Sequence, residues 1–232
     1  MNRRLAGLSV AHWGLAAIVA AVLIGISTQP WSPVQTIEAV GFLLGVWWVW
    51  LLIQESPWNW PIGILNSSIY VVVMLQAKVY GDAALNALYI VLGFIGWYWW
   101  VRGDDGRTPV PISYSRWRLL ALLSALALAA AWFLFPYFRN AGSTVALPDA
   151  LLFSFSMVGQ YLQTRKKIEN WPVWVIVNFC YIPVFVSKHL PATAVLYAIY
   201  GLLAIQGWRE WRRLFQVQSE QNQTDSPPVA PA

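Results

Sequence analysis

Eight apolar stretches, each about as long as a bilayer core is thick, leave this chain few ways to fold. A hydrocarbon layer of about 30 Å takes roughly 20 residues of helix. Such lengths run over Leu5–Ile26, Val34–Gln54, Trp58–Gln76, Ala83–Val101, Trp117–Phe138, Pro148–Thr164, Trp171–Ser187 and Pro191–Trp208. Composition agrees with that reading: 58% of the 232 residues are hydrophobic and 11% are charged. A soluble domain carries roughly 25% charged residues, and too few remain here to coat a water-exposed surface. The expectation is an all-α polytopic membrane protein with eight transmembrane helices. The first stretch follows Arg3 and Arg4. It is long for a signal peptide and lacks a clear small-x-small cleavage site, so it is read as a helix.

An even number of spans puts both termini on one side. Twelve of the cations then fall together: Arg3, Arg4, Arg102, Arg107, Arg116, Arg118, Arg165, Lys166, Lys167, Arg209, Arg212 and Arg213, against Lys78, Arg139 and Lys188 opposite. Lysine and arginine accumulate on the cytoplasmic face, so both termini are expected in the cytoplasm. The net charge of +5 thus belongs to membrane edges and makes no case for nucleic acid, which needs a basic face or helix. Cys180 is the single cysteine, and His12 and His189 lie far apart. No disulfide framework, metal centre or cofactor is expected. From Gln216 the chain turns polar and proline-rich, which reads as a disordered tail.

Shifted by 111 residues, the sequence matches itself without a gap. Asn59-Trp60-Pro61 falls on Asn170-Trp171-Pro172, Tyr70 on Tyr181, Tyr89 on Tyr200, Gly96-Trp97 on Gly207-Trp208 and Trp100 on Trp211. Four spans separate equivalent positions, so the two copies enter the membrane in the same direction. Parallel three-helix repeats joined by a linker helix form a transporter architecture, that of SWEET proteins. The expected plan is one plus three plus one plus three. It comprises an extra helix (1–30), a first repeat (31–103), a cytoplasmic loop and linker helix (104–142), a second repeat (143–214) and a tail (215–232). The linker span is mostly Leu and Ala, as suits a helix facing lipid or other apolar helices. Gly41, Gly45, Gly93 and Gly96 are expected to let helices approach closely.

No ionisable side chain stands at mid-depth in any span. Glu38, Asp82 and Asp149 fall at helix starts, where carboxylates complement the N-terminal dipole or form an acidic outer mouth. Within the spans lie neutral polar groups: Asn66, Ser67, Tyr70, Asn86 and Tyr89 in the first copy, and Gln160, Asn178, Tyr181, Tyr197 and Tyr200 in the second. Amides and hydroxyls can bind a sugar or an amide without the desolvation cost of a charge; they also serve as glue between helices. Trp171, Trp174, Asn178 and Tyr181 follow at i, i+3, i+7 and i+10 and share one helix face. Asn178 lies roughly 12 Å from the cytoplasmic end at 1.5 Å per residue, near the midplane. A tryptophan face beside an amide suits a flat cationic ring. Trp171 itself sits at the interface, where a belt tryptophan is common. The first copy offers Trp60, Gly63, Ser67 and Tyr70 instead, so one wall is expected to be bulky and the other open. The candidate substrate-binding set is Trp171, Trp174, Asn178, Asn66, Tyr70, Asn86, Gln160, Tyr181 and Tyr197. Catalysis is not expected, because the spans lack a nucleophile with a base or paired carboxylates at one depth.

Tyr80-Gly81-Asp82, then Asn86, Tyr89 and Gly96-Trp97-Tyr98-Trp99, together with Trp171-x-x-Trp174-x-x-x-Asn178, resemble the PnuC-type bacterial vitamin transporters over about Glu38 to Trp211. The second segment is similar to that of the nicotinamide riboside branch, and the resemblance implies that Trp171, Trp174 and Asn178 help form the substrate site. It also implies a homotrimer in the bacterial inner membrane, facilitated diffusion, and trapping of nicotinamide riboside by a cytoplasmic ribosylnicotinamide kinase. Phe179 stands where the family is often polar. Thiamine or riboflavin transport within the same family, and a non-transporting membrane subunit, are the alternatives.

Overall fold

The computed structural model of the protein describes residues 33–76, 80–103, 110–143, 145–187 and 191–224. Those residues form seven helices: α1 (Pro33–Ile53), α2 (Asn59–Gln76), α3 (Tyr80–Arg102), α4 (Trp117–Asn140), α5 (Ala146–Thr164), α6 (Asn170–Ser187) and α7 (Pro191–Thr224). Gly81–Arg102, Trp117–Asn140 and Asn170–Ser187 are long and apolar enough to cross a membrane. The expected span Leu5–Ile26 lies outside the described residues, as do Arg3, Arg4, Lys78, Arg107, Lys188 and His189.

The repeat is visible as packing. α2 packs on α1 and α3, and α6 packs on α5 and α7; between the copies, α1 meets α7 and α3 meets α5. That reciprocal pairing of first with third helices places the two three-helix bundles about a pseudo-two-fold axis. Equivalent tryptophans hold each bundle at one end. Trp60 sets its edge on Trp100 at 5.5 Å, and Trp171 on Trp211 at 5.3 Å. Each seat is a glycine: a Cβ on Gly96 would collide with the Trp60 ring, and one on Gly207 with Trp171. Trp100 and Trp211 meet at 6.1 Å and join the bundles. All four indoles are buried. Trp171 is therefore a core residue, not the belt residue its position suggests.

The same symmetry extends to the corners beneath these tryptophans. α1 and α5 both end in a Schellman motif. Ser56 N–H reaches Leu51 O and Glu55 N–H reaches Leu52 O; Lys167 N–H reaches Leu162 O and Lys166 N–H reaches Gln163 O. The left-handed residue of such a motif is usually glycine, yet here it is Glu55 (φ 53°) and Lys166 (φ 47°). The two equivalent side chains meet as an ion pair at 3.2 Å. One residue beyond each corner's turn, Asn59 and Asn170 donate to Ser56 O and Lys167 O, both at 2.6 Å.

The linker helix α4 has two unlike faces. Ala127 and Ala131 are buried against α5, while Leu122, Leu126, Trp132 and Phe133 are exposed. Small residues let the backbones approach, and the large ones face outward. At the end holding the ion pair, Ser113 bonds backbone to backbone with Lys166 and Ile168, and Ser115 N–H donates to the Glu169 carboxylate. This ties the segment before α4 to the α5–α6 corner. α7 does not stop at Trp208 but continues to Thr224, into the segment read as a disordered tail. Hydropathy marks where a helix leaves apolar surroundings, not where it ends. Glu, Arg, Gln and Leu favour helix, Glu210 pairs with Arg213, and no proline intervenes before Pro227.

The candidate substrate cavity

Between the bundles lies a cavity lined from α1, α2, α3, α5, α6 and α7. All nine expected residues are on its wall: Asn66 and Tyr70 from α2, Asn86 from α3, Gln160 from α5, Trp171, Trp174, Asn178 and Tyr181 from α6, and Tyr197 from α7. They arrive there because the polar stripe of each central helix faces the pseudo-two-fold axis while its apolar remainder faces outward.

Trp174 is fixed on three sides. Its indole N–H donates to Gln163 Oε1 at 3.1 Å. A Cβ on Gly159 would stand 3.0 Å from the ring, so the indole lies flat on that glycine. Tyr89 meets it edge-on at 6.3 Å. Towards the far end, Tyr181 and Tyr197 approach at 4.8 Å and Phe185 joins Tyr197 at 4.8 Å, which makes a second aromatic wall. Gly45 gives the Tyr200 hydroxyl its place, since a Cβ there would collide with it. Gly41 similarly faces the Tyr70 ring. These glycines seat aromatic side chains, where the sequence suggested helix-on-helix contact.

The wall expected to be open is closed. Gly63 replaces Trp174 in the first copy, but Trp48 from α1 fills the space, its Nε1 only 2.8 Å from where a Gly63 Cβ would sit. The offset explains the exchange: Trp48 is the counterpart of Gly159, and Gly63 that of Trp174. Each copy thus places one tryptophan over one glycine between its first two helices, and the tryptophan changes helix between copies. Reading α2 and α6 alone misses this; aligning α1 with α5 shows it.

Asp82 also reaches the cavity, which favours the acidic-mouth reading over simple capping, while its backbone carbonyl accepts from Asn86 Nδ2 at 2.9 Å. Asp149 instead accepts from Ser143 Oγ at 2.6 Å near the start of α5. Ser67, Ser156 and Gln163 add to the polar lining, and among the described residues no lysine or arginine contributes to it. The cations gather at the ion-pair end: Arg165 stands over Trp99 at 4.1 Å, and Lys166 over Trp100 at 4.5 Å. Nor do the described residues hold three metal-ligating side chains together. The lining can bind a flat ring, hydroxyls and amides, and one positive charge.

A family profile described as "Nicotinamide mononucleotide transporter" matches residues 35–213. The riboflavin/roseoflavin transporter RibM of Streptomyces davaonensis is 27% identical over 179 residues, covering 75% of this chain and 83% of that protein. The nicotinamide riboside transporter PnuC of Escherichia coli is 26% identical over 204 residues, covering 75% and 84%. The crystal structure of the vitamin B3 transporter PnuC superposes with a TM-score of 0.74 at 22% identity, over 90% of this chain and 94% of that one.

Proposed function

This chain belongs to the nicotinamide mononucleotide transporter family, and from that premise we propose that it takes up nicotinamide riboside by facilitated diffusion across the bacterial inner membrane. The observation that carries the reading is the chemistry of the cavity wall: among the described residues it holds a fixed indole, several neutral amides and one carboxylate, and no arginine or lysine. The pyridinium ring of nicotinamide riboside is flat and cationic, which suits Trp174. Its carboxamide and ribose suit Asn66, Asn178 and Gln160. A mononucleotide would bring a phosphate to a wall whose described residues offer one carboxylate to repel it and no cation to pair it, so the riboside is preferred. The PnuC relative points the same way. Riboflavin is the second reading, favoured by the RibM relative, but a neutral flavin gains no charge attraction from the carboxylate on the cavity wall.

The remaining features belong to the same proposal. Eight helices span the membrane in the one-three-one-three plan. Both termini lie in the cytoplasm, which puts Glu55, Lys166 and the tryptophan cluster at the cytoplasmic end. The chain assembles as a homotrimer, and a cytoplasmic ribosylnicotinamide kinase retains the product.

Thermal unfolding of the purified protein beside nicotinamide riboside, nicotinamide mononucleotide, thiamine and riboflavin tests the substrate. A ligand at a hundred times its Kd adds about 2.7 kcal/mol, or roughly 5–10 °C in a chain of this size. Nicotinamide riboside is expected to give such a shift and its phosphate almost none. A shift with riboflavin alone would replace the substrate named here.

A further inference from the structure

Gln163 sits at a position where the two copies differ in a telling way. It is wholly buried, yet it belongs to the cavity wall, and its counterpart 111 residues earlier is Leu52, also buried. An indole N–H only donates. The Gln163 amide must therefore turn its oxygen to Trp174, and the 3.1 Å contact shows that it does. Its Nε2 is then left buried without a partner. A buried donor left unpaired is destabilising, and leucine at the equivalent place in the first copy carries no such donor. The first copy also has no indole for it to hold, because Gly63 stands where the second copy has Trp174. The amide occurs only where there is a cavity tryptophan on the central helix, and it is kept in spite of an unpaired N–H.

We propose that Gln163 is the positioning residue of the substrate site: it fixes the plane of the Trp174 indole, with Gly159 beneath, so that the ring is already set to stack on a cationic aromatic ligand. Without that bond the indole turns about its side-chain torsions, and the ligand must order it on binding. Trp48, which lies over Gly63 with leucine at the Gln163-equivalent position of its helix, is held by packing. The inference rests on the nicotinamide riboside reading above.

The test is a double-mutant cycle on the full chain, with Gln163→Leu, Trp174→Phe and the pair, reading nicotinamide riboside Kd by calorimetry and Tm by thermal unfolding without ligand. Gln163→Leu is expected to weaken binding about tenfold while Tm holds or rises. In the Trp174→Phe background, where no indole N–H remains to be held, the same change should alter Kd by less than about twofold. An equal loss of affinity in both backgrounds, or a Tm that falls together with affinity, would overturn the positioning role and leave Gln163 a packing residue. Absence of nicotinamide riboside binding by the unmodified chain is a different failure: it would remove the substrate reading, and the positioning role with it.

Discussion

At the scale of single residues, the proposed site can be tested group by group, by charge and by shape. Trp174→Ala removes the stacking face and its cation–π attraction, and should weaken nicotinamide riboside binding by about 1–3 kcal/mol; calorimetry on folded protein measures it, and unchanged affinity would take Trp174 out of the site. Asp82→Asn tests the charge. A carboxylate about 8–15 Å from a pyridinium is worth about 1–2 kcal/mol at an effective dielectric near 20, so affinity for the cationic riboside should fall by about that amount. The reduced, uncharged dihydro form should bind both proteins alike, and an equal loss for both forms would mean that Asp82 acts by shape. The candidate residues of α2, α3, α5, α6 and α7 were legible because polar and aromatic side chains inside apolar helices stand out, and all nine reach the cavity. Trp48 and Gln163 were not, for two physical reasons. A tryptophan in the run Trp47-Trp48-Val49-Trp50 has no polarity contrast with its neighbours. A glutamine close to a helix end, followed by Thr164 and Arg165, looks like a residue leaving the membrane.

Among the elements, the paired corners after α1 and α5 make the most specific demand on sequence. A left-handed, non-glycine residue is uncommon, and two of them facing each other across the pseudo-two-fold axis form the Glu55–Lys166 pair. Lys166 is the more buried partner, its side chain 7% exposed against 21% for Glu55. Glu55→Gln strands that ammonium and should lower stability by up to about 3 kcal/mol. The exchanged pair, Glu55→Lys with Lys166→Glu, should recover most of it, read by thermal unfolding. A charge swap no better than the single variant would show that the contact is incidental. Helix existence was legible throughout the described residues, since twenty apolar residues leave little choice. The corner geometry was not, because glycine, the usual sign of a left-handed C-terminus, is absent from both positions. The continuation of α7 to Thr224 escaped a hydropathy reading for the opposite reason: the helix outlasts its apolar surroundings.

For the whole molecule, the two bundles line a cavity between them and meet through the contacts α1–α7 and α3–α5. Orientation is open to a direct check: a cysteine placed at Ser219 should resist impermeant thiol reagents on intact cells and react once the membrane is opened. Labelling from outside would reverse the topology. The proposal of transport without a coupling ion is supported by the titratable lining of the cavity, which among the described residues is one carboxylate and a set of tyrosines, with no histidine or carboxylate pair among them to carry a proton across. The substrate's own charge then supplies the drive, and an inside-negative membrane favours entry by about 2.3 kcal/mol per 100 mV. Uptake of labelled nicotinamide riboside into proteoliposomes holding this protein alone puts the central claim to its most direct test. With the potential clamped at zero, the label should equilibrate across the membrane and no further under an imposed pH or sodium gradient. Entry no faster than into protein-free vesicles, or accumulation above equilibrium driven by either gradient, would contradict the account.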